Sequence, residues 1–166
     1  MPAEKYECPI GISDEYYRLI GIIAAQWERV DFLLEWAVAE IGSHDPVSVG
    51  LLSTNLTFTA KIELILTHAE PLRKPAPEKF REISNAIQEI RRVNSLRNMY
   101  VHARWMPADN DENIALRSVV RTTQGKLDIG NKPTPLSELV MAARDINNAG
   151  ESFMKIMNDF GLLKGI

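Results

Sequence analysis

The feature that most constrains this chain is a long run of apolar residues at helical spacing between residues 14 and 41. Apolar side chains recur there every three or four positions and form a stripe that faces a core: Leu19, Ile23, Trp27, Val30, Leu34, Ala37 and Ile41. Ser13 is suited to cap this helix at its N-terminus, and Gly42 is suited to end it. Because Phe32 and Trp36 add apolar surface outside the stripe, we expect the helix to be covered on more than one side, by neighbouring helices or by a second subunit.

The rest of the chain predicts further helices and one hairpin. In the hairpin segment Ile114, Leu116 and Val120 occupy even positions and Arg117 and Arg121 odd ones, an alternation that favours strands. The predicted elements are a short helix at 47–53, helices at 58–69, 78–105 and 136–160, and a β-hairpin at 113–132. We expect one domain over residues 1–166, with residues 1–12 as a mobile tail. The predicted fold class is all-α, a bundle of four to five helices with a short β-hairpin inserted before the last helix.

Composition excludes several classes of protein. A formal net charge of −3 over 166 residues argues against a protein that coats nucleic acid through bulk positive charge. The single cysteine, Cys8, rules out an internal disulfide framework and suits a reducing compartment. The start of the chain lacks the layout of a secretory signal, and no apolar stretch approaches the roughly 20 residues that span a bilayer. We therefore expect a cytoplasmic protein that is not bound to a membrane.

Charge is distributed unevenly along the chain. From Met1 to Asp45 there are three basic and nine acidic residues, a net charge of −6. From Arg91 to Arg121 there are six arginines against three acidic residues, a net charge of +3. The small total therefore leaves room for a local nucleic-acid-binding site on the second of these segments.

The segment at 90–105, IRRVNSLRNMYVHARW, carries the polar residues that are hardest to explain as helix surface. On a helix Arg97 continues the direction of the buried isoleucines before it, where a guanidinium requires a partner. Asn94, Asn98 and His102 follow at intervals of four and stack along the adjacent face, so that Asn98 can contact the His102 ring. The long Arg97 side chain can also swing towards the imidazole. Such polar groups beside the inward face of a bundle helix are unfavourable unless they serve a function.

The hexapeptide Arg97-Asn98-Met99-Tyr100-Val101-His102 resembles the R-polar-x-x-x-H signature of HEPN domains, a class of small all-α proteins. The resemblance covers most of the chain in architecture and six residues in motif. It implies a metal-independent endoribonuclease without a cofactor, working as a homodimer in which two motifs face each other across a cleft for single-stranded RNA. Cleavage of that kind proceeds by attack of the ribose 2′-hydroxyl on the adjacent phosphate and leaves a 2′,3′-cyclic phosphate. Many HEPN proteins are toxins or anti-phage effectors, which implies a cognate antitoxin as a further partner.

The residue types of the motif suit that chemistry. An imidazole such as His102 takes or gives a proton near neutral pH, and the permanently charged fork of Arg97 suits a phosphate that gains negative charge. Asn98 can orient the imidazole or donate to a phosphate oxygen. We therefore predict Arg97, Asn98 and His102 as catalytic residues. The residues predicted to bind substrate at the mouth of the cleft, with aromatic stacking under a splayed base, are Asn94, Tyr100, Arg104 and Trp105.

Other interpretations of the same residues stay open. Arg97 and His102 can instead form purely structural ion pairs with the first helix. The carboxylates available there are Glu28, Asp31 and Glu35. The chain can also be a non-catalytic HEPN-like dimer that binds a partner protein, a nucleotide or RNA, or a purely structural helical dimer. The sequence has no clustered Cys and His residues of the kind that hold zinc, so no metal is expected, and Lys61 is interpreted as a surface lysine.

Overall fold

The computed structural model describes residues 11–41, 55–108, 113–123 and 126–160, with positions 120–129 described by their backbone alone where they are included. These ranges contain four α-helices: α1 (Asp14–Ile41), α2 (Phe58–Ala69), α3 (Pro77–Val101) and α4 (Leu136–Asp159). A 3₁₀ turn, Glu70–Arg73, follows α2. The predicted helices at 14–41 and 58–69 are confirmed at both ends, and the last helix ends one residue before its predicted end. The predicted helix at 47–53, Gly42 and the turn at 124–125 lie outside the described residues.

A three-stranded antiparallel sheet, rather than a lone hairpin, precedes α4. Its strands are β1 (Trp105–Pro107), β2 (Ile114–Thr123) and β3 (Lys126–Pro135), in the order β1-β2-β3. Strands β2 and β3 form the predicted hairpin, and β3 extends beyond position 132 to Pro135. Strand β1 adds to the free edge of β2, with Trp105 opposite Arg117. The fold is therefore a mostly helical bundle with a small sheet inserted before its last helix.

The prediction that the third long helix reaches Trp105 is wrong. Helix α3 ends at Val101, and Trp105 begins strand β1. A strand of three residues has no periodicity that a sequence pattern can reveal, and it forms because β2 offers it a partner. The consequence is that the residues after Val101 belong to the sheet side of the molecule and not to a continuing helix.

The chain begins to pack in the core before α1 starts, which is earlier than predicted. Ile12 is only 8% exposed and packs in the core, so the predicted tail of residues 1–12 is too long. Gly11 before it has φ +72°, a left-handed conformation that favours glycine. The predicted side-chain cap is also wrong, because the Ser13 hydroxyl is buried without a partner among the described residues. The Ser13 carbonyl instead accepts a hydrogen bond from the Tyr16 amide at 3.0 Å.

The core lies between three long helices. Helix α4 packs against both α1 and α3, and α2 packs against α1. The apolar stripes of the sequence supply it, and its largest fully buried side chains include Ile23, Leu34, Ile62, Ile83, Ile87, Ile90, Leu139, Ile146 and Phe153. At one point α1 and α4 approach so closely that a Cβ on Gly150 would lie 3.1 Å from a methyl group of Val30. The α1 stripe therefore predicted the packing of that helix well, with Ile41 only half-buried.

The hydroxyl of Tyr16 joins α1 to the sheet. This fully buried side chain accepts a hydrogen bond from the Ala115 amide at 2.9 Å. Its oxygen also lies 2.6 Å from the Thr134 carbonyl oxygen and 2.8 Å from the Asn113 carbonyl oxygen, to which it can donate. The Leu136 amide donates to the same Asn113 carbonyl at 3.1 Å. One hydroxyl therefore fixes the start of α1 against the start of β2, the end of β3 and the start of α4.

A Tyr16→Phe variant tests the importance of this hydroxyl. It keeps the ring and removes only the oxygen, which leaves the buried Ala115 amide without its acceptor. We expect the free energy of unfolding to fall by about 1–3 kcal/mol, the range for an unsatisfied buried polar group. Urea denaturation followed by circular dichroism measures it, with Tyr17→Phe as the matched control on the same helix. A loss no larger than that of the control would contradict this role.

Lys61 is not the surface residue that the sequence suggested. Its side chain is only 4% exposed, and its ammonium group donates to Asp31 at 2.8 Å and to Glu35 at 2.9 Å. Burial alone would lower the pKa of Lys61, but its hydrogen bonds and ion pairs with the two carboxylates outweigh burial and raise it above 10.5. A buried ammonium is therefore held between α1 and α2 by two acidic side chains that are about one quarter exposed.

The buried ammonium predicts an asymmetry between variants. The double variant Asp31→Asn/Glu35→Gln leaves Lys61 charged and unpaired, so we expect a loss of about 3–5 kcal/mol in the free energy of unfolding. Lys61→Met removes the charge and leaves two carboxylates that water can reach, so its loss should be smaller. Because the folded-state pKa of Lys61 is raised, the pair stabilises the fold fully below pH 10.5 and less as pH rises further. Chemical denaturation of the wild-type protein and both variants at pH 7 measures these losses, and equal losses in the two variants would disprove the argument.

Candidate active site

The predicted motif lies where α3 ends. His102 is the residue that caps the helix, with φ −97° and ψ 6°, and its amide still donates to the Asn98 carbonyl at 3.4 Å. Its side chain is therefore positioned by the last turn of the helix while the following backbone turns away towards β1. Both Asn98 and His102 are exposed, and Arg97 is half-buried.

Arg97 brings the motif residues together. Its Nη1 donates to the Asn98 side-chain oxygen at 2.9 Å and lies 2.6 Å from Nε2 of His102. The prediction that the guanidinium reaches the imidazole is confirmed by this contact. The predicted contact of Asn98 with the His102 ring is replaced by a shared contact with Arg97, so the three side chains form one group with the arginine in its centre.

The hydrogen-bond inventory of this group limits what each atom can do. A guanidinium has donors only, so Nε2 of His102 accepts from Arg97, and the ring proton of this neutral imidazole is on Nδ1. Both hydrogens of Nη1 are used by Asn98 and His102. Nε of Arg97 is buried without a partner among the described residues. Nη2 is left as the group with which Arg97 can bind an anion.

No described carboxylate pairs with Arg97 or His102, so the alternative of structural ion pairs with α1 is not supported. Two of the three carboxylates considered for it, Asp31 and Glu35, are occupied by Lys61. A half-buried guanidinium that pairs with no described carboxylate keeps its positive charge available for a ligand.

Comparison of the chain with protein-family models, with curated proteins and with solved structures found no match. The functional argument therefore depends on the side chains of the motif and on what surrounds them.

The four residues predicted to bind substrate differ in how far they are exposed to solvent. Asn94 is half-buried one turn before Asn98, and Arg104 is exposed beyond the helix end, where its carbonyl accepts a hydrogen bond from the Ser118 amide at 2.9 Å. Tyr100 and Trp105 are buried, with 5% and 7% of their surface exposed. An open aromatic platform made by these two rings, as the sequence suggested, is therefore not present.

The two buried aromatic residues hold the end of α3 against the sheet instead. Their ring centroids are 6.4 Å apart with an interplanar angle of 17°, and the Trp105 indole N–H donates to the Tyr100 carbonyl at 3.0 Å. The Trp105 ring also lies 5.7 Å from that of Tyr16. Burial raises the pKa of Tyr100, and the nearby Glu138 carboxylate raises it further. The hydroxyl of Tyr100 therefore stays protonated at neutral pH, where it donates to Glu138 at 3.4 Å.

Sequence reasoning missed a second cationic group beside the motif. Arg117 is 9% exposed, and its guanidinium carbon lies 5.8 Å from the centre of the Tyr100 ring. The alternation in β2 had put the arginines opposite the apolar residues, yet the face that packs inward is the one with Ala115 and Arg117. Only the pairing of β2 with Trp105 in β1 would have shown which face is covered.

A cleft elsewhere in the described part of the molecule contains none of the predicted site residues. It has a volume of about 750 Å³ and lies between the ends of α1, α2 and α4 and the start of α3, with mostly apolar walls that include Ile41, Leu72 and Phe160. The described residues contain no group of three or more side chains that would hold a metal ion. None of the helices described here is long and apolar enough to cross a membrane.

An Arg97→Ala variant distinguishes a functional arginine from a structural one. Since the described hydrogen-bond partners of Arg97 are Asn98 and His102, both exposed, we expect its removal to change the free energy of unfolding by about 1 kcal/mol or less. The Asp31→Asn/Glu35→Gln variant serves as a reference for the loss of a buried ion pair. Thermal and urea unfolding measure both, and a loss of about 3 kcal/mol or more in Arg97→Ala would identify Arg97 as structural.

Proposed function

We propose that the chain is a metal-independent endoribonuclease of the HEPN type that cleaves single-stranded RNA. The observation that carries the proposal is the Arg97 group: a guanidinium that pairs with no described carboxylate, 2.6 Å from an exposed imidazole. This pair combines a site for phosphate charge with a group that transfers protons at neutral pH. A role as a toxin or anti-phage effector, and a cognate antitoxin, follow from the resemblance alone.

The reaction uses these atoms as follows. Nη2 of Arg97 binds a non-bridging oxygen of the scissile phosphate and stabilises the charge that develops there. Nε2 of His102 exchanges its contact with Arg97 for the ribose 2′-hydroxyl and takes its proton. The 2′-oxygen then bonds to phosphorus, the bond from phosphorus to the 5′-oxygen breaks, and the products are a 2′,3′-cyclic phosphate and a 5′-hydroxyl. In the homodimer the proton for the 5′-oxygen comes from the facing motif of the second copy.

Asn98 has a positioning role in this scheme. Its side-chain oxygen accepts one hydrogen of Nη1 at 2.9 Å, which fixes the guanidinium while His102 takes part in proton transfer. Asn98→Ala should therefore reduce cleavage less than either Arg97→Ala or His102→Ala does.

The proposal is tested with purified full-length protein, an end-labelled single-stranded RNA and EDTA. We expect cleavage with cyclic-phosphate ends, identified by mass spectrometry, and no cleavage of an all-deoxy oligonucleotide because it lacks the 2′-hydroxyl. His102→Ala and Arg97→Ala should lower the rate by about 100-fold or more, the range for losing an acid–base group or an oxyanion-stabilising donor. His68→Ala, which removes an exposed histidine at the end of α2, is the matched control. Absence of cleavage, or cleavage unaffected by His102→Ala, would disprove the proposal.

One observation favours a second candidate function, a non-catalytic HEPN-like dimer that binds RNA, a nucleotide or a partner protein. The Nε2 lone pair that a general base needs is already used by Arg97. If that contact persists with ligand bound, the group binds phosphate without turnover. Retained RNA binding, weakened by Arg97→Ala and accompanied by no cleavage in the same assay, would identify this function.

A further inference from the structure

Three residues form a row across the sheet next to the end of α3. Trp105 in β1 lies opposite Arg117 in β2, which lies opposite Lys132 in β3. Directly opposite residues in an antiparallel sheet project from the same face. Two cations are therefore neighbours on one face, an arrangement that is unfavourable by itself.

The Arg117 guanidinium is unusual because it is buried and has no polar partner among the described residues. It makes no hydrogen bond or ion pair with a described residue, and its buried Nε has no acceptor. Its guanidinium carbon lies 5.8 Å from the centre of the Tyr100 ring, and the same ring stacks with Trp105. A guanidinium that is about nine-tenths buried and unpaired is costly unless an anion completes it.

Within the described part of the chain, one carboxylate lies near the two cations and does not neutralise both. Glu138 at the start of α4 lies 3.5 Å from the Lys132 ammonium and accepts from the Tyr100 hydroxyl at 3.4 Å. It forms no ion pair with Arg117. The group formed by Arg117, Lys132 and Glu138 therefore keeps a net charge of +1, with Lys132 about half exposed to solvent.

Arg117 is connected to the Arg97–His102 motif both through α3 and through the sheet. Tyr100, under the Arg117 guanidinium, is one helical turn after Arg97. Ser118, next to Arg117, donates its amide to the carbonyl of Arg104, two residues after His102. A chain of phosphates that reaches His102 can therefore continue over the sheet.

We infer that Arg117 and Lys132 form a second phosphate-binding position, which takes a backbone phosphate of the RNA strand flanking the one at Arg97. The inference rests on the proposed function for the identity of the ligand. Arginine provides a fork of donors for phosphate oxygens, and lysine provides a compact charge. Such contacts position a strand without reading its bases, so the site contributes affinity and register but no sequence preference.

Binding of a fluorescent single-stranded 2′-O-methyl RNA, which cannot be cleaved, tests this inference by anisotropy at 50–200 mM salt. Lys132→Gln and Arg117→Gln should each weaken binding about tenfold at low salt, and each should reduce the slope of log affinity against log salt by about 0.7. Glu138→Gln keeps an acceptor for Tyr100 and removes a negative charge, so it should strengthen binding. Arg81→Gln, an equal charge change in the first turns of α3, is the matched control and should leave affinity unchanged.

The outcomes separate this inference from the proposed nuclease. If Lys132→Gln and Glu138→Gln bind like Arg81→Gln at every salt concentration, the inference is wrong, even where a destabilised Arg117→Gln binds weakly. Wild-type protein that does not bind the oligonucleotide also overturns it. Opposite changes in Lys132→Gln and Glu138→Gln without RNA cleavage support the phosphate position and disprove the nuclease. RNA cleavage together with unchanged binding in Lys132→Gln and Glu138→Gln would support the nuclease and disprove the phosphate position.

Discussion

The hydroxyl of Tyr16 is the contact on which the arrangement of this molecule depends most. It brings the first turn of α1 to the start of β2 and the end of β3, and the ring beneath it contacts Trp105. Trp105 in turn holds Tyr100, and Tyr100 is one turn from Arg97. The position of the motif is therefore determined by a series of buried contacts that begins far from it in the sequence, because a helix end has no packing partner until the sheet supplies one.

Helix positions could be predicted from the sequence because apolar spacing is local information. The bounds of α1 and α2 and the start of α4 follow from where that spacing begins and stops. Strand β1 could not be predicted in the same way, since its three residues are ordered by pairing with β2. The sequence also did not show which face of β2 packs inward. An arginine is expected to face solvent, and Arg117 is buried because its guanidinium lies over the Tyr100 ring.

The contacts within the candidate site could be predicted only in part. The length of the Arg97 side chain was enough to propose its contact with His102, and the structure confirms that contact. The role of Asn98 as a partner of Arg97 was not predicted, because residues adjacent in sequence do not face each other on a helix. Lys61 shows the same limit, since a lysine is expected at the surface unless a helix distant in sequence supplies carboxylates.

The prolines of the sheet have a consequence for how copies of this chain can meet. Pro133 and Pro135 lie in β3, an edge strand, and Pro107 ends β1 at the other edge. A proline in a ladder is confined to positions whose missing N–H would face outward, so the outer edge of β3 lacks two successive donors. Strand-by-strand polymerisation along that edge would leave carbonyl groups unpaired. The β3 edge is thus poorly suited to pairing with a strand of a second copy.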